Sequence, residues 1–504
     1  MSEKALDPGV IASKLMRVRP DRDQRASQVC LEFLLTLVAN SYTAPSHENE
    51  LRSPKVRRFA LRSLVLGRNF LEGYDELIPG SSISAEEYGR RLTSGEEVLG
   101  SSHLDRAQVA LRSLVDPSTE TGTEPGQYLL MPFHESMLWY DARRGNRRFT
   151  VRKVRMRGTG VTLGRALLDP PPNTHEETRR FAREAIDGIR GVLNLDSSLS
   201  TIAQGVEDIL PDSFHEPATL EEDERRSWRL GANPDLLELY ERICRHTAGV
   251  VTQGGASGPD RMWQLRTVLA LDLATDMLQR CWSAVDEPQK RRHLLLALPG
   301  PNRPSDRVRL RSERSWNDAR SCFNWATIRT IENTLRELHD QGGIDWSQAI
   351  GARTERRLKP RVIQPYESGI RDFRKLAQLT FENANYHRAI DGFRVLLETI
   401  GMSAGGTRYR YMSATPDLLA AWVGALSREM PMTSDEFFRR VRLEWNIIVS
   451  PSAAAGTALA DDLDGDELTL NLRRFERLLI ECGLASGLSD RTVLVGERAA
   501  RRGT

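Results

Sequence analysis

The hydrophobic positions of this chain recur mainly at helical spacing, so the pattern predicts a mainly α-helical protein. Residues 28–39 (QVCLEFLLTLVA) and 56–66 predict helices in the first part of the chain. Residues 262–285 predict a further helix that is apolar enough to be largely buried. The pair Asn233-Pro234 joins a capping residue to proline at the first helical position. Over residues 368–400 the spacing predicts one long amphipathic helix.

Strand patterns occur near residue 140, within an N-terminal region of mixed character. Residues 127–133 and 136–142 predict short strands, and residues 143–146 (Arg-Arg-Gly-Asn) have turn chemistry. Residues 147–157 (RRFTVRKVRMR) then have strand-like content. Together these segments predict a β-hairpin inside a small α+β region.

Chain length and helix-breaking residues divide the chain into four predicted segments. A single hydrophobic core stops growing at roughly 250 to 300 residues, so a chain of 504 residues should form several domains. The triple proline at 170–172 cannot continue a helix, and Thr174-x-x-Glu177 after it is a helix-start pattern. The predicted segments are a mixed α/β domain (1–170), a helical domain (171–300), a linker with one short helix at 325–339 before the long helix (301–411), and a winged-helix-like domain (412–504).

The winged-helix prediction comes from the order of elements in the last ninety or so residues. Thr415-Pro416 caps a helix that runs to about residue 426, and Thr433-x-x-Glu436 caps a second. Residues 468–482 predict a third helix, and a turn followed by residues 492–495 predicts a strand. Three helices followed by a small hairpin is the layout of a winged helix.

Composition describes an ordinary folded protein whose charges balance. The chain is 39% hydrophobic and 28% charged, and its 71 basic and 69 acidic residues give a net charge of +2. Any nucleic-acid surface must therefore come from local clustering. Lysine supplies only seven of the basic residues, a bias that indicates a GC-rich bacterial genome, with selection for function as the alternative. Arginine pairs phosphate in a bidentate way that lysine cannot.

Cysteine usage and hydropathy indicate the compartment. The five cysteines are far apart and never form a CxxC pair, which favours reduced thiols over disulfides or a zinc site. The chain has no run of 18 or more uncharged apolar residues, and residues 1–20 lack a signal-peptide core. We therefore expect a cytoplasmic protein with no membrane partner.

The predicted hairpin carries the densest positive charge. Residues 141–160 contain eight basic residues against one acid: Arg143, Arg144, Arg147, Arg148, Arg152, Lys153, Arg155 and Arg157. By strand parity Arg147, Lys153, Arg155 and Arg157 share one face. Such a row, along roughly 30 Å, could follow a phosphate backbone without sequence specificity. The alternatives are a charged edge strand that resists aggregation, or a strand paired with glutamates elsewhere.

The third helix of the predicted winged helix is the second candidate site. It would present Asn471, Arg473, Arg474 and Arg477 to DNA. Winged helices also dock proteins, and the acidic loop at 461–467 would repel a duplex.

We predict no catalytic residues, no metal site and no cofactor. The run Gly158-Thr-Gly160-Val-Thr-Leu-Gly164 nearly matches the dinucleotide motif GxGxxG, but its third glycine comes one residue late. Asp272 and Asp276 lie four apart on an apolar helix and could converge as an acid pair. The alternative is that they line a wetter flank of that helix.

Two segments near the C-terminus resemble part of a known group of proteins. The runs MTSDEFFRRVRLEWNIIVSP (432–451) and LRRFERLLIECGLASGLSDRTVLV (472–495) resemble the closing segment of uncharacterised proteins from bacterial anti-phage defence operons. The resemblance covers under a fifth of the chain and implies no catalytic residues. It favours a setting in antiviral defence, with a protein partner from the same operon.

These observations lead to three hypotheses. The first is a non-catalytic accessory protein that binds DNA or RNA, or a nucleic-acid enzyme, through the basic hairpin and the winged helix. The second is a protein–protein scaffold subunit without nucleic-acid contact, whose helices at 176–300 and 368–400 dock a partner. The third is an enzyme whose site is assembled from dispersed residues without a recognisable motif.

Overall fold

The protein is mainly helical, as predicted, and its contacts divide it into two compact units. A computed structural model describes residues 4–18, 24–44, 134–135, 138, 158–194, 227–298, 306–405, 409–428, 430–488 and 492–496, and the backbone alone at 55–56, 142–144, 149–153 and 216–217. We call Arg25–Arg266 the middle unit and Met1–Gln24 with Thr267–Thr504 the terminal unit. The triple proline at 170–172 lies inside the middle unit, and the four predicted segments stay a prediction.

Helices make up most of the described chain. Before residue 300 they are α1 (Pro8–Met16), α2 (Ala26–Ala39), α3 (Thr159–Leu168), α4 (Glu176–Asn194), α5 (Leu237–Thr252) and α6 (Gly258–Ala284), with 3₁₀ turns at Pro234–Leu236 and Gln289–Arg291. After residue 300 they are α7 (Arg307–Asp340), α8 (Trp346–Ala349), α9 (Ala352–Leu358), α10 (Gln364–Glu367), α11 (Phe373–Asn383), α12 (Arg388–Thr399), α13 (Pro416–Leu426), α14 (Ser434–Trp445), α15 (Pro451–Ala454), α16 (Leu459–Asp462) and α17 (Gly465–Glu481), with a π-helical stretch at Lys359–Ile363. None of these described helices is both long enough and apolar enough to cross a membrane.

The strands are short. They are β1 (Lys55–Val56), β2 (Ala142–Arg144), β3 (Phe149–Lys153), β4 (Glu216–Pro217), β5 (Leu294–Leu295), β6 (Ser403–Ala404), β7 (Tyr411–Met412), β8 (Met432–Thr433), β9 (Ile447–Ile448), β10 (Ala485–Gly487) and β11 (Val493–Val495). Strand β5 pairs with β9 in parallel, and the pairs β1–β4, β2–β3 and β6–β7 are antiparallel. Strands β10, β11 and β8 form an antiparallel sheet in that order.

Close helix packing organises the middle unit. An added Cβ at Gly160 would lie 2.4 Å from the backbone oxygen of Val29, so α3 can approach α2 this closely only with glycine there. The buried carboxylate of Glu32 accepts hydrogen bonds from the backbone N–H groups of Gly158 (2.8 Å) and Gly160 (2.9 Å). An anionic group at a helix N-terminus satisfies unpaired donors and complements the helix dipole. The glycines that approximate GxGxxG therefore serve helix packing.

The N-terminal segment is built into one core of the terminal unit. The hydroxyl of Tyr386 donates to the backbone oxygen of Leu6 (2.6 Å), and the ammonium of Lys4 donates to that of Ile350 (2.7 Å). Leu6 and Ile11 are buried with the apolar faces of α7 to α11. These contacts explain why residues 1–24 belong with the distant C-terminal part of the chain.

Two predictions for residues 301–400 are wrong. The segment expected to be a linker around one short helix contains the 34-residue helix α7, whose start is capped by Asp306. Its charged residues are exposed or half-buried, while Trp316, Phe323 and Ile331 are buried. The single helix expected over 368–400 is two helices, α11 and α12, because the backbone is extended at Ala384.

The C-terminal elements lie close to their predicted positions. Thr415 and Thr433 cap α13 and α14 through their side chains, as their spacing indicates. The third helix, α17, begins at Gly465, three residues earlier than predicted, because Asp464 and Glu467 form a capping box. The strands β10 and β11 that follow α17 pair with each other, and β11 pairs with β8.

Several predicted elements lie on residues that the structure does not describe. They are the helix at 56–66 beyond β1, the strand at 127–133 and most of the strand at 136–142.

Candidate functional site

The backbone pair β2–β3 lies where the basic hairpin is predicted. Its register pairs Ala142 with Lys153 and Arg144 with Phe149, so Arg143 and Arg144 lie on a strand rather than in the turn. Arg152 and Lys153 lie on β3. The side chains of these strands and all of Arg147, Arg148, Arg155 and Arg157 lie outside the described residues. The charged face of the hairpin stays a prediction.

Two of the residues predicted to read DNA are bonded inside the terminal unit. The buried amide of Asn471 donates to the backbone oxygens of Leu296 and Val449, both at 3.0 Å, and accepts from the backbone N–H of Leu298. Arg474 donates to the carboxylate of Asp306 (2.7 Å) and to the backbone oxygen of Leu298 (2.9 Å). Both side chains bond α17 to Leu298, and Arg474 also bonds it to Asp306, the capping residue of α7.

The Arg474 contact also sets the charge of its partner. Burial raises the pKa of Asp306, but the hydrogen bond from Arg474 and the backbone donors at the start of α7 outweigh it. The net pKa of the Asp306 carboxyl lies below its ordinary value, so the ion pair persists at neutral pH.

The outer face of α17 presents Arg473 and Arg477. The guanidinium of Arg477 forms an ion pair with Glu481 (2.7 Å) in the next turn. Leu470 and Ile480 lie at helical spacing on the same face and are 50% and 42% exposed. The exposed face of α17 is therefore both basic and apolar.

A stronger basic surface lies on α9 and the π-helical stretch after it. We call it the basic segment, and it consists of five exposed residues: Arg353, Arg356, Arg357, Lys359 and Arg361. Its sequence, RTERRLKPR, contains one acid, Glu355. The charge density of the sequence alone indicates this surface, which lies within the segment predicted to be a linker.

The apolar residues of the basic segment decide which way its charges point. Leu358, Val362 and Ile363 are buried against α11, so the basic side chains face outward. Pro360 lacks an N–H and cannot bond to the carbonyl of residue 356, and the helix widens there into a π turn. Helix geometry thus gathers the five cations on the outer surface.

The cations of the basic segment differ from Arg439 and Arg440 of α14, which are also exposed. None of the five forms an ion pair with a residue that the structure describes; Arg361 donates to the amide oxygen of Asn383 (2.9 Å). By contrast, Arg439 and Arg440 pair with Glu436 at 2.7 and 3.1 Å. The basic segment therefore presents charge that no described carboxylate neutralises.

A cleft of about 1020 Å³ opens along α7 in the same unit. One wall is α7 and the others are the end of α6, the turn at 285–293 and α16. Its lining includes Trp282, Glu287, Lys290, Arg291, His293, Arg311, Asp318, Cys322, Trp325, Ile328, Arg329, Glu332, Arg374, Asp461 and Asp462.

Two titratable groups in the cleft are held neutral. Burial, together with the nearby cations of Arg311 and Arg442, lowers the pKa of His293 to about 4. Burial and the charge of Glu287 raise the pKa of Cys322 to about 12. At neutral pH the imidazole is uncharged and the thiol is protonated, so Cys322 is no thiolate nucleophile.

No protein-family model, curated protein or solved structure matches this chain. The C-terminal resemblance to proteins of defence operons stays a prediction.

Asp272 and Asp276, the two carboxylates that could converge as an acid pair, bond to different residues. Asp272 is fully buried and accepts a hydrogen bond from the indole N–H of Trp445 (2.7 Å). Asp276 is also buried and forms an ion pair with Arg280 (2.7 Å). Neither lies on a wet flank of the helix, and each has a structural partner of its own.

Proposed function

We propose that this chain is a non-catalytic accessory protein that binds nucleic acid by phosphate contacts from the basic segment. The observation that carries the proposal is five exposed cations within nine residues, none of them paired with a described carboxylate. The predicted basic hairpin would extend the same surface chemistry. A role in anti-phage defence is proposed from the C-terminal resemblance alone.

The dimensions of the basic segment suit a phosphate backbone. From Arg353 to Arg361 a helix rises roughly 12 Å, the length over which duplex DNA presents about seven charges. Arginine forks bind phosphate oxygens in a bidentate way, and such contacts give affinity without reading the sequence. We therefore expect binding that depends strongly on salt and weakly on sequence.

The C-terminal domain supports a second proposed activity, which is docking of a protein partner. The helices α13, α14 and α17, with β9, α15 and α16 between the last two, are followed by β10 and β11, which complete a sheet ordered β10–β11–β8. This arrangement favours the winged-helix architecture that we propose for residues 412–504. In this domain Arg474 is held by Asp306, while Leu470 and Ile480 are exposed beside Arg473. Exposed apolar residues favour a protein surface over a phosphate backbone as the partner of α17.

The phosphate-contact proposal is tested by measuring the anisotropy of a labelled duplex and a labelled single strand from 50 to 200 mM salt. The variant Arg353→Gln/Arg357→Gln/Lys359→Gln removes three cations that have no described bonding partner. For the duplex, the slope of log affinity against log salt is negative. Its magnitude should decrease by about 2.7, because each lost duplex contact removes about 0.9.

A matched control removes the same charge from paired sites. The variant Arg336→Gln/Arg439→Gln/Arg440→Gln changes three exposed arginines that pair with Glu332 or Glu436. It should leave the slope near the native value. Absence of binding at 50 mM salt, or equal losses in both triple variants, contradicts the proposal.

A further inference from the structure

We propose that the cleft along α7 binds a ligand that combines a planar aromatic base with a phosphate, as a nucleotide does. This site is separate from the basic segment and does not rest on the proposed function. The cleft joins an exposed indole, unpaired cations and unpaired carboxylates within one concave surface.

The first element of the site is Trp325, whose side chain lines the cleft. The residue is 49% exposed, although it lies on a helix whose other aromatic residues, Trp316 and Phe323, are buried. Ala319, Cys322 and Ile328 form an apolar floor beside it. An indole held beside an apolar floor offers one stacking face to any base, because every base has a π-face.

The second element is a set of cations that are free to bind an anion. Lys290, Arg291 and Arg374 line the cleft, and none of them forms an ion pair with a described residue. The other two arginines of the cleft are occupied, since Arg311 pairs with Asp462 and Arg329 with Asp286. Phosphate oxygens are suitable partners for the unpaired cations.

The remaining polar groups suit the sugar of a nucleotide. Glu287, Asp318 and Asp461 line the cleft without a described ion-pair partner and can accept hydrogen bonds from hydroxyl groups. The neutral imidazole of His293 adds a hydrogen-bonding group that carries no charge. The same carboxylates disfavour a ligand that is only an anion, and the free cations disfavour a basic peptide.

The volume of the cleft is consistent with this ligand class. Small-molecule sites span about 300 to 1,000 Å³, and the cleft holds about 1020 Å³. A mononucleotide would leave room for water, and one nucleotide of a single strand would also fit. Both ligands would bind by base stacking and phosphate pairing. The experiment below distinguishes a free nucleotide from a nucleotide within a single strand.

The test measures binding to the full-length chain by titration calorimetry. The probes are the four ribonucleoside triphosphates, a 12-residue oligothymidine and, as a ligand without a base, tripolyphosphate. The variant Trp325→Ala should weaken nucleotide binding between about fivefold and 150-fold, the range found when one stacked aromatic is removed. Trp325→Phe should retain most of the affinity because a smaller ring still stacks.

Two further variants complete the design. Arg291→Gln/Arg374→Gln should weaken nucleotide binding about as much as Trp325→Ala. Tyr409→Ala removes an aromatic residue that is 63% exposed and does not line the cleft, and should have no effect.

Each outcome decides the proposal. If a free nucleotide, or only the oligonucleotide, binds and Trp325→Ala weakens that binding, the result supports the site and identifies its ligand. The proposal is overturned if no probe with a base binds at millimolar concentration, if Trp325→Ala binds like the native chain, or if tripolyphosphate binds equally well. Loss of binding in Arg353→Gln/Arg357→Gln/Lys359→Gln but not in Trp325→Ala would assign the oligonucleotide to the basic segment instead.

Discussion

Replacing Gly160 with alanine should separate α2 from α3. The new Cβ would lie 2.3 Å from the Cβ of Glu32, 2.4 Å from the backbone oxygen of Val29 and 2.6 Å from the backbone nitrogen of Phe33. Two of these atoms belong to the backbone of α2 and cannot move by a change of rotamer. The helices themselves must therefore move apart.

The expected cost has two parts. Overpacking of a tight interior costs about 1 to 3 kcal/mol. Separation also lengthens the two hydrogen bonds that the Glu32 carboxylate accepts, and bonds to charged groups contribute about 1.5 to 3 kcal/mol each. The gain of up to about 1 kcal/mol in helix propensity from glycine to alanine offsets part of this. We expect a net loss of about 3 kcal/mol or more in the free energy of local unfolding.

Hydrogen exchange followed by mass spectrometry measures this loss where it occurs. Amides of α2 and α3 should exchange more than about a hundredfold faster, since 1.4 kcal/mol corresponds to a factor of ten. Gly258→Ala is the control in the same unit, because its Cβ would meet Val192 at an ordinary 3.4 Å. Native exchange rates in Gly160→Ala, or equal acceleration in the control, would refute the close approach of the two helices.

Three further predictions concern the terminal unit. Asn471→Ala should lower the urea midpoint by the equivalent of about 3 kcal/mol, because buried backbone groups lose partners; Arg473→Ala, on the surface, should change it by less than about 0.5 kcal/mol. Since the pKa of His293 is lowered to about 4, the unfolded state binds its proton first, and stability should fall by up to about 3 kcal/mol as pH drops from about 6.5 to 4. His293→Gln should flatten that part of the urea-midpoint profile, and an unchanged profile would contradict the assignment. Trp445→Phe removes the indole donor to the buried Asp272 and should cost about 1.5 to 3 kcal/mol in the same urea assay; native stability would refute the role of this bond.

Local chemistry explains which parts of the fold could be predicted from the sequence. Thr415 and Thr433 cap helices because a cap needs only a side-chain oxygen and a backbone N–H two or three residues away. The helices α13, α14 and α17 follow from such short-range patterns, whereas the short helices α15 and α16 lie where the sequence predicts a loop. The prediction failed at residues 301–400, where arginine-rich content indicated a linker. Helix α7 buries only part of its surface, so a polar, arginine-rich sequence can still form a long helix.

The candidate sites depended on contacts between distant parts of the chain. From the sequence, Asn471, Arg473, Arg474 and Arg477 are equivalent candidates on one helix. Only the fold separates them, because Asn471 bonds to the backbone of Leu296 and Arg474 bonds to Asp306, whereas Arg473 and Arg477 are exposed.

The same reason applies to the basic segment and the cleft. Their charge was visible in the sequence, but whether a carboxylate neutralises each arginine depends on residues brought near it by folding. Sequence alone determined where some helices begin, such as α13 and α14, and which residues carry charge. Tertiary structure decided which charges stay unpaired, since pairing is set by distances of a few ångströms between side chains far apart along the chain.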